Sequence, residues 1–120
     1  MVLDVEAARK HYREREARRR AEREARRQRW LRRVREAVSR LVTHHPGVRR
    51  VYVFGSLVHP GRFRSDSDID IAVECETPEA ESTFWRALER ELERDVDLRP
   101  LTGVIEQIAA TEGEKVNVCG

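Results

Sequence analysis

From Val5 to Val42 the chain runs without a proline or a glycine, and its alanines, arginines and glutamates are all good helix formers. One long helix is predicted there. Glu14/Arg18, Glu16/Arg20, Glu22/Arg26 and Glu36/Arg40 are spaced i to i+4 with the acid first, each pair worth about 0.2 to 0.5 kcal/mol. The apolar stripe is thin over Ala17, Ala21 and Ala25, then broad over Trp30, Leu31, Val34, Ala37, Val38, Leu41 and Val42. Residues 1–42 therefore read as a charged helical arm that packs on a body through its second half.

Charge divides the chain in the same way. The charged fraction is 38%, against roughly 25% in ordinary soluble domains, yet the net charge is only +2. Residues 1–36 hold 14 Lys and Arg against 7 Asp and Glu, and the remainder holds 10 against 15. The result is a basic arm on an acidic body. No apolar run is long enough to cross a membrane as a helix. The start, Met1 to Asp4, lacks a basic-then-apolar leader, and Cys75 and Cys119 are too few for a disulfide framework, so a reducing cytoplasm is expected.

His44, His45, Pro46 and Gly47 end the helical pattern, and the period then changes to two. Val51–Phe54 and Asp68–Val73 are strand candidates, with a loop broken by Pro60 and Gly61 between them. Thr77 and Pro78 form an N-cap and first-turn pair opening a helix that carries Phe84, Trp85, Leu88 and Leu92 and reaches about Arg94. Asp95–Leu98 reads as a third strand closed by Pro100, Val104–Ala109 as a short helix and Val116–Val118 as a last strand. Strands alternating with helices predict an α/β or α+β sandwich, a small mixed sheet backed by helices.

Aspartate is depleted in strands, so Asp68 and Asp70 alternating with Ile69 and Ile71 need a reason. In an extended segment residues i and i+2 share a face about 7 Å apart, which lets two carboxylates converge on a hard cation such as magnesium. Asp97, flanked by Val96 and Leu98, adds a third acid if its strand is adjacent; Asp95 competes for that place. Three such acids suit a two-metal clamp for displacement at phosphorus. Gly55 removes a Cβ that would block a phosphate, and Ser56 offers a hydroxyl and an N–H at a turn.

The Gly55-Ser56 pair, the Ser67-Asp68-Ile69-Asp70 run and the later Val96-Asp97-Leu98 together resemble the nucleotidyltransferase signature shared with polymerase β. The short body, roughly 48–118, is similar to the minimal nucleotidyltransferases, stand-alone domains often encoded beside a helical HEPN-type toxin. The resemblance extends to Glu112-Gly113-Glu114-Lys115-Val116. It implies that Asp68, Asp70 and Asp97 are catalytic and bind two Mg2+ ions, and that Gly55, Ser56 and Ser67 bind the nucleotide. It also implies AMP transfer from ATP to a hydroxyl, in antitoxin members a tyrosine of the partner toxin. The loop Leu57–Gly61 is one residue longer than the family's Gly-Ser-x-x-x-Gly form.

Simpler roles suit several other residues. His44 and His45 complement a helix C-terminus, the cysteines are small apolar residues, Trp30 and Trp85 are packing anchors, and Arg62 and Arg64 are solvated. For the arm the readings are an ion-paired solvated helix, an interface with a second copy or a partner, or, least favoured because glutamates interrupt the arginines, a nucleic-acid contact. A protein that keeps this fold but acts by occluding its partner is the alternative to an enzyme.

Overall fold

The computed structural model describes residues 4–116; residues 1–3 and 117–120, which include Cys119 and the last two positions of the expected Val116–Val118 strand, lie outside the described residues. The elements in order are α1 (Val5–Leu41), β1 (Val48–Phe54), β2 (Ile69–Cys75), α2 (Pro78–Leu92), β3 (Val96–Pro100), α3 (Gly103–Glu112) and β4 (Glu114–Val116).

The long helix forms over nearly the whole uninterrupted stretch. Asp4 caps it, its carboxylate accepting from the Ala7 N–H at 3.0 Å. At the other end the backbone tightens into a 3-10 turn, Val42–His44, before Pro46 and Gly47. Leu31, Val34, Ala37 and Val38 are buried, whereas most side chains before residue 24 are exposed. The outer part projects from the body, giving extents of 71 × 27 × 23 Å.

The sheet is mixed, in the order β3-β2-β1-β4, with β1 antiparallel to both β2 and β4, and β2 parallel to β3. β1 starts at Val48, earlier than its apolar run suggests, because pairing with β2 draws Arg49 and Arg50 into the strand. Their guanidiniums reach Glu76 at 2.8 Å and Glu74 at 3.2 Å. Thr77 caps α2 through the Ala80 N–H at 3.0 Å, with Pro78 in the first turn. This helix stops at Leu92, two residues short of Arg94, where Glu93 turns into the left-handed region with φ 51°. β3 continues through Arg99 and Pro100 rather than ending at Leu98.

Alternation along β2 separates the two faces of the sheet. Ile69, Ile71 and Val73 join Val34 and Val38 of α1 and Phe84, Leu88 and Leu92 of α2 in the main core. Burying a side chain such as Phe84 contributes about 2 to 3 kcal/mol. The alternate residue Ala72 belongs to a smaller cluster with Phe54, Leu101 and Ala109, covered by α3. Asp70, two residues before Ala72, lies on that second, thinly covered face.

Candidate active site

Parallel pairing of β2 with β3 sets Asp70 in register with Asp97, and Ala72 in register with Arg99. Antiparallel pairing sets the same Asp70 opposite Phe54, the residue before Gly55. Burial pushes the Asp70 carboxyl up to about 6; the negative charges of Asp97 and then Asp68 add to the rise, and Arg99 opposes it. Arg99 donates to both oxygens of Asp97 at 3.3 Å. A carboxylate held so far above its ordinary range marks a place short of positive charge.

Gly55 is fitted to that carboxylate. Its φ is +73°, in the left-handed region, and a Cβ built there would stand 2.1 Å from Oδ2 of Asp70. No other residue type could hold this backbone against the acid. Gly55–Val58 make one 3-10 turn, closed by the His59 N–H donating to the Ser56 carbonyl at 3.2 Å. Gly55 and Ser56 line an open cavity of about 580 Å³ together with Arg62, Arg64, Ile108 and Glu112. Glu112 stands 3.6 Å from His59 across its mouth. Arg62 and Arg64 thus face a hollow as well as solvent.

The other predicted residues sit elsewhere around this centre. Asp68 is exposed, one position before β2, and borders a separate hollow of about 250 Å³ with Ser67, Arg94 and Asp95. Ser67 closes its own loop, its hydroxyl accepting from the Arg64 N–H at 2.9 Å. Among the described residues no three His, Cys, Asp or Glu side chains are gathered closely enough to hold a metal ion as they stand. Asp70 and Asp97 stand in register on adjacent strands and Asp68 lies two residues before Asp70, without the three being closed on a common point. The donors are hard oxygens of the kind magnesium takes.

Two arginines that the sequence analysis does not single out, Arg27 and Arg94, hold the loops of this site. Arg27 of α1 is 6% exposed, and its guanidinium donates to the Leu57 carbonyl at 2.8 Å. Arg94 lies 4.7 Å from the ring centroids of both Trp30 and Phe63 and donates to the carbonyls of Arg64, Ser65 and Ser67. Arg27 was traceable in principle. It falls on the same helical stripe as Leu31, Val34 and Val38.

Residues 36–114 match the family model described as polymerase beta, nucleotidyltransferase. The chain belongs to that nucleotidyltransferase family. The matched segment runs from the end of α1 through β1, β2, α2, β3 and α3 to the first residue of β4, while Arg27 and Trp30 precede it. Structural neighbours of this family member are MNT antitoxins of HEPN toxin pairs. A toxin–antitoxin crystal structure with AMP-PNP is 28% identical with a TM-score of 0.59, covering 71% of this chain and 73% of that one. The MntA–HepT complex is 26% identical with a TM-score of 0.53, covering 72% and 71%. The structure of a tri-AMPylated Shewanella oneidensis HEPN toxin with its MNT antitoxin is 27% identical with a TM-score of 0.52, covering 72% and 71%. No curated protein matches the chain. No helix among the described residues is long and apolar enough to cross a membrane.

Proposed function

We propose that this chain is a magnesium-dependent nucleotidyltransferase that moves AMP from ATP to a hydroxyl, a tyrosine of a HEPN-type toxin, and so acts as an antitoxin. The reading rests above all on one observation: Asp70 and Asp97 stand in register on adjacent strands, with a glycine fitted against the first carboxylate. Residues 48–118 form the catalytic body in this reading and residues 1–42 the arm.

Asp68, Asp70 and Asp97 would hold two Mg2+ ions, which supply charge neutralisation of the triphosphate and a lowered pKa for the attacking hydroxyl. Gly55 lets the outer phosphates approach the backbone, and Ser56 donates to them. Arg62 and Arg64 face the same cavity and offset negative charge there. Asp97, at the side of the pair nearer Arg99, orients the acceptor hydroxyl. The acceptor hydroxyl gives up its proton to Asp97, which passes it to solvent, as its oxygen bonds to the α-phosphorus; the bond to the bridging oxygen breaks, and pyrophosphate leaves. A HEPN-type partner is supported by neighbours that are complexes of MNT antitoxin with HEPN toxin, and ATP by the neighbour holding AMP-PNP.

The test incubates the chain with α-labelled ATP, Mg2+ and a HEPN-type partner. Label is expected on the partner with wild type and none with Asp70→Asn or Asp97→Asn. Occlusion without chemistry is the second reading, favoured by the open arrangement of the three acids. Inhibition of the toxin by wild type and both variants alike, with no label transferred, would establish it.

A further inference from the structure

We propose that Arg27 is a positioning residue: from the arm it fixes the Gly55–Val58 turn and thereby sets how tightly the triphosphate is held. This deepens the nucleotidyltransferase reading and rests on it for its kinetic consequence. From within, the turn is held by 3-10 bonds, whose geometry is poorer than that of α-helical ones, the last of them from the His59 N–H to the Ser56 carbonyl, and it begins at Gly55, the most permissive residue in backbone conformation. The loop beyond does not pack tightly on the arm, since a hollow of about 430 Å³ separates them, lined by Arg23, Glu24, Arg27, Pro60, Gly61 and Phe63.

Arg27 crosses that gap. It is the one buried charged side chain among the described residues, and burying a guanidinium is costly unless its donors are met. Glu24, one helical turn earlier, accepts from Nε at 2.9 Å, which neutralises the charge and orients the fork. The remaining arm of the fork donates to the Leu57 carbonyl at 2.8 Å. Leu57 is itself fully buried, so the carbonyl has no water to turn to. The turn is therefore held from below by its side chain and from the side by the arm.

The test uses the full chain with the substitutions Arg27→Met, Arg27→Lys and Glu24→Gln, and Arg19→Met as a surface control. Three quantities are read: KM and kcat for MgATP in the labelling reaction, hydrogen exchange at the amides of residues 55–58, and the melting midpoint. Arg27→Met is expected to raise KM about tenfold with kcat nearly unchanged, as loss of a charged hydrogen bond to the turn would. Exchange at 55–58 should quicken while β1 and β2 keep their protection. Arg27→Lys should recover part of both, and Arg19→Met should match wild type. Should Arg27→Met fail to fold, Glu24→Gln keeps the guanidinium and removes only the charge of its partner, and about a twofold rise in KM with faster exchange at 55–58 is expected, at a midpoint lowered by a few degrees. Wild-type KM and exchange in these variants would overturn the proposal. So would kcat and KM failing together with the midpoint. If wild type neither binds ATP nor transfers label, the functional reading fails, and exchange at 55–58 still decides whether Arg27 holds the turn.

Discussion

The Oδ2 atom of Asp70 occupies the space in which a side chain at Gly55 would begin, 2.1 Å from the point a Cβ would take. The two residues come from neighbouring strands, β1 ending at Phe54 opposite Asp70, so the close approach is built into the register. It couples the Gly55–Val58 turn to the Asp70 carboxylate.

Gly55→Ala should accordingly fail twice, through strain at φ +73° and through displacement of the carboxylate. A loss of about 1 to 3 kcal/mol in stability is expected from the backbone alone. Nucleotidyl transfer should fall at least about a hundredfold, since moving a reacting group by about an ångström costs that much. Urea unfolding and the labelling assay measure the two effects separately.

Asp70 makes stability depend on pH in an unusual direction for an acid. Its folded pKa lies at about 6, above the unfolded value of 3.8, so the native state binds the extra proton between these values. The contribution of Asp70 to stability is then full below about pH 4 and lost as pH rises through about 6. A dry carboxyl with this shift would forfeit about 3 kcal/mol; partial solvation reduces that to about 1 to 2. Without Mg2+, Asp70→Asn should melt higher than wild type at pH 8 and equally at pH 4. Adding Mg2+ at pH 8 should raise the wild-type midpoint and leave that of the variant unchanged.

Arg94 ties the segment before Asp68 to α1 through Trp30 and to the loop through three carbonyls. Arg94→Ala removes the stacking and leaves carbonyls without partners, for an expected loss of about 2 to 4 kcal/mol. Lysine lacks the planar fork and should restore under half of it. Chemical denaturation checks both variants.

The outer part of α1 packs on nothing among the described residues, and its ion pairs are exposed, such as Arg19 with Glu16 at 3.0 Å. Removing residues 1–16 should reduce helical ellipticity and leave the unfolding free energy within about 0.5 kcal/mol.

Much of this fold is legible because local chemistry and tertiary need agree. Thr77-Pro78 opens α2 where it should, and the Asp-Ile alternation of β2 reports a strand with one apolar and one acidic face. The mismatches come from the opposite situation. Arg49 and Arg50 look like loop but are held in β1 by cross-strand glutamates. Arg27 and Arg94 look like any of the surrounding arginines, and only the third dimension shows which carbonyls they meet. The three aspartates illustrate a limit of spacing arguments. Strand period places Asp70, and parallel register places Asp97, but Asp68 precedes the strand and follows the loop instead.

The strand order β3-β2-β1-β4 leaves the paired acids on unequal footings. Asp70 stands on an interior strand bonded along both flanks, whereas Asp97 stands on the rim, bonded along one. One acid is anchored and the other is compliant, since rim strands yield at lower cost than central ones. A clamp with one stiff jaw and one yielding jaw can keep its grip while the distances across it change.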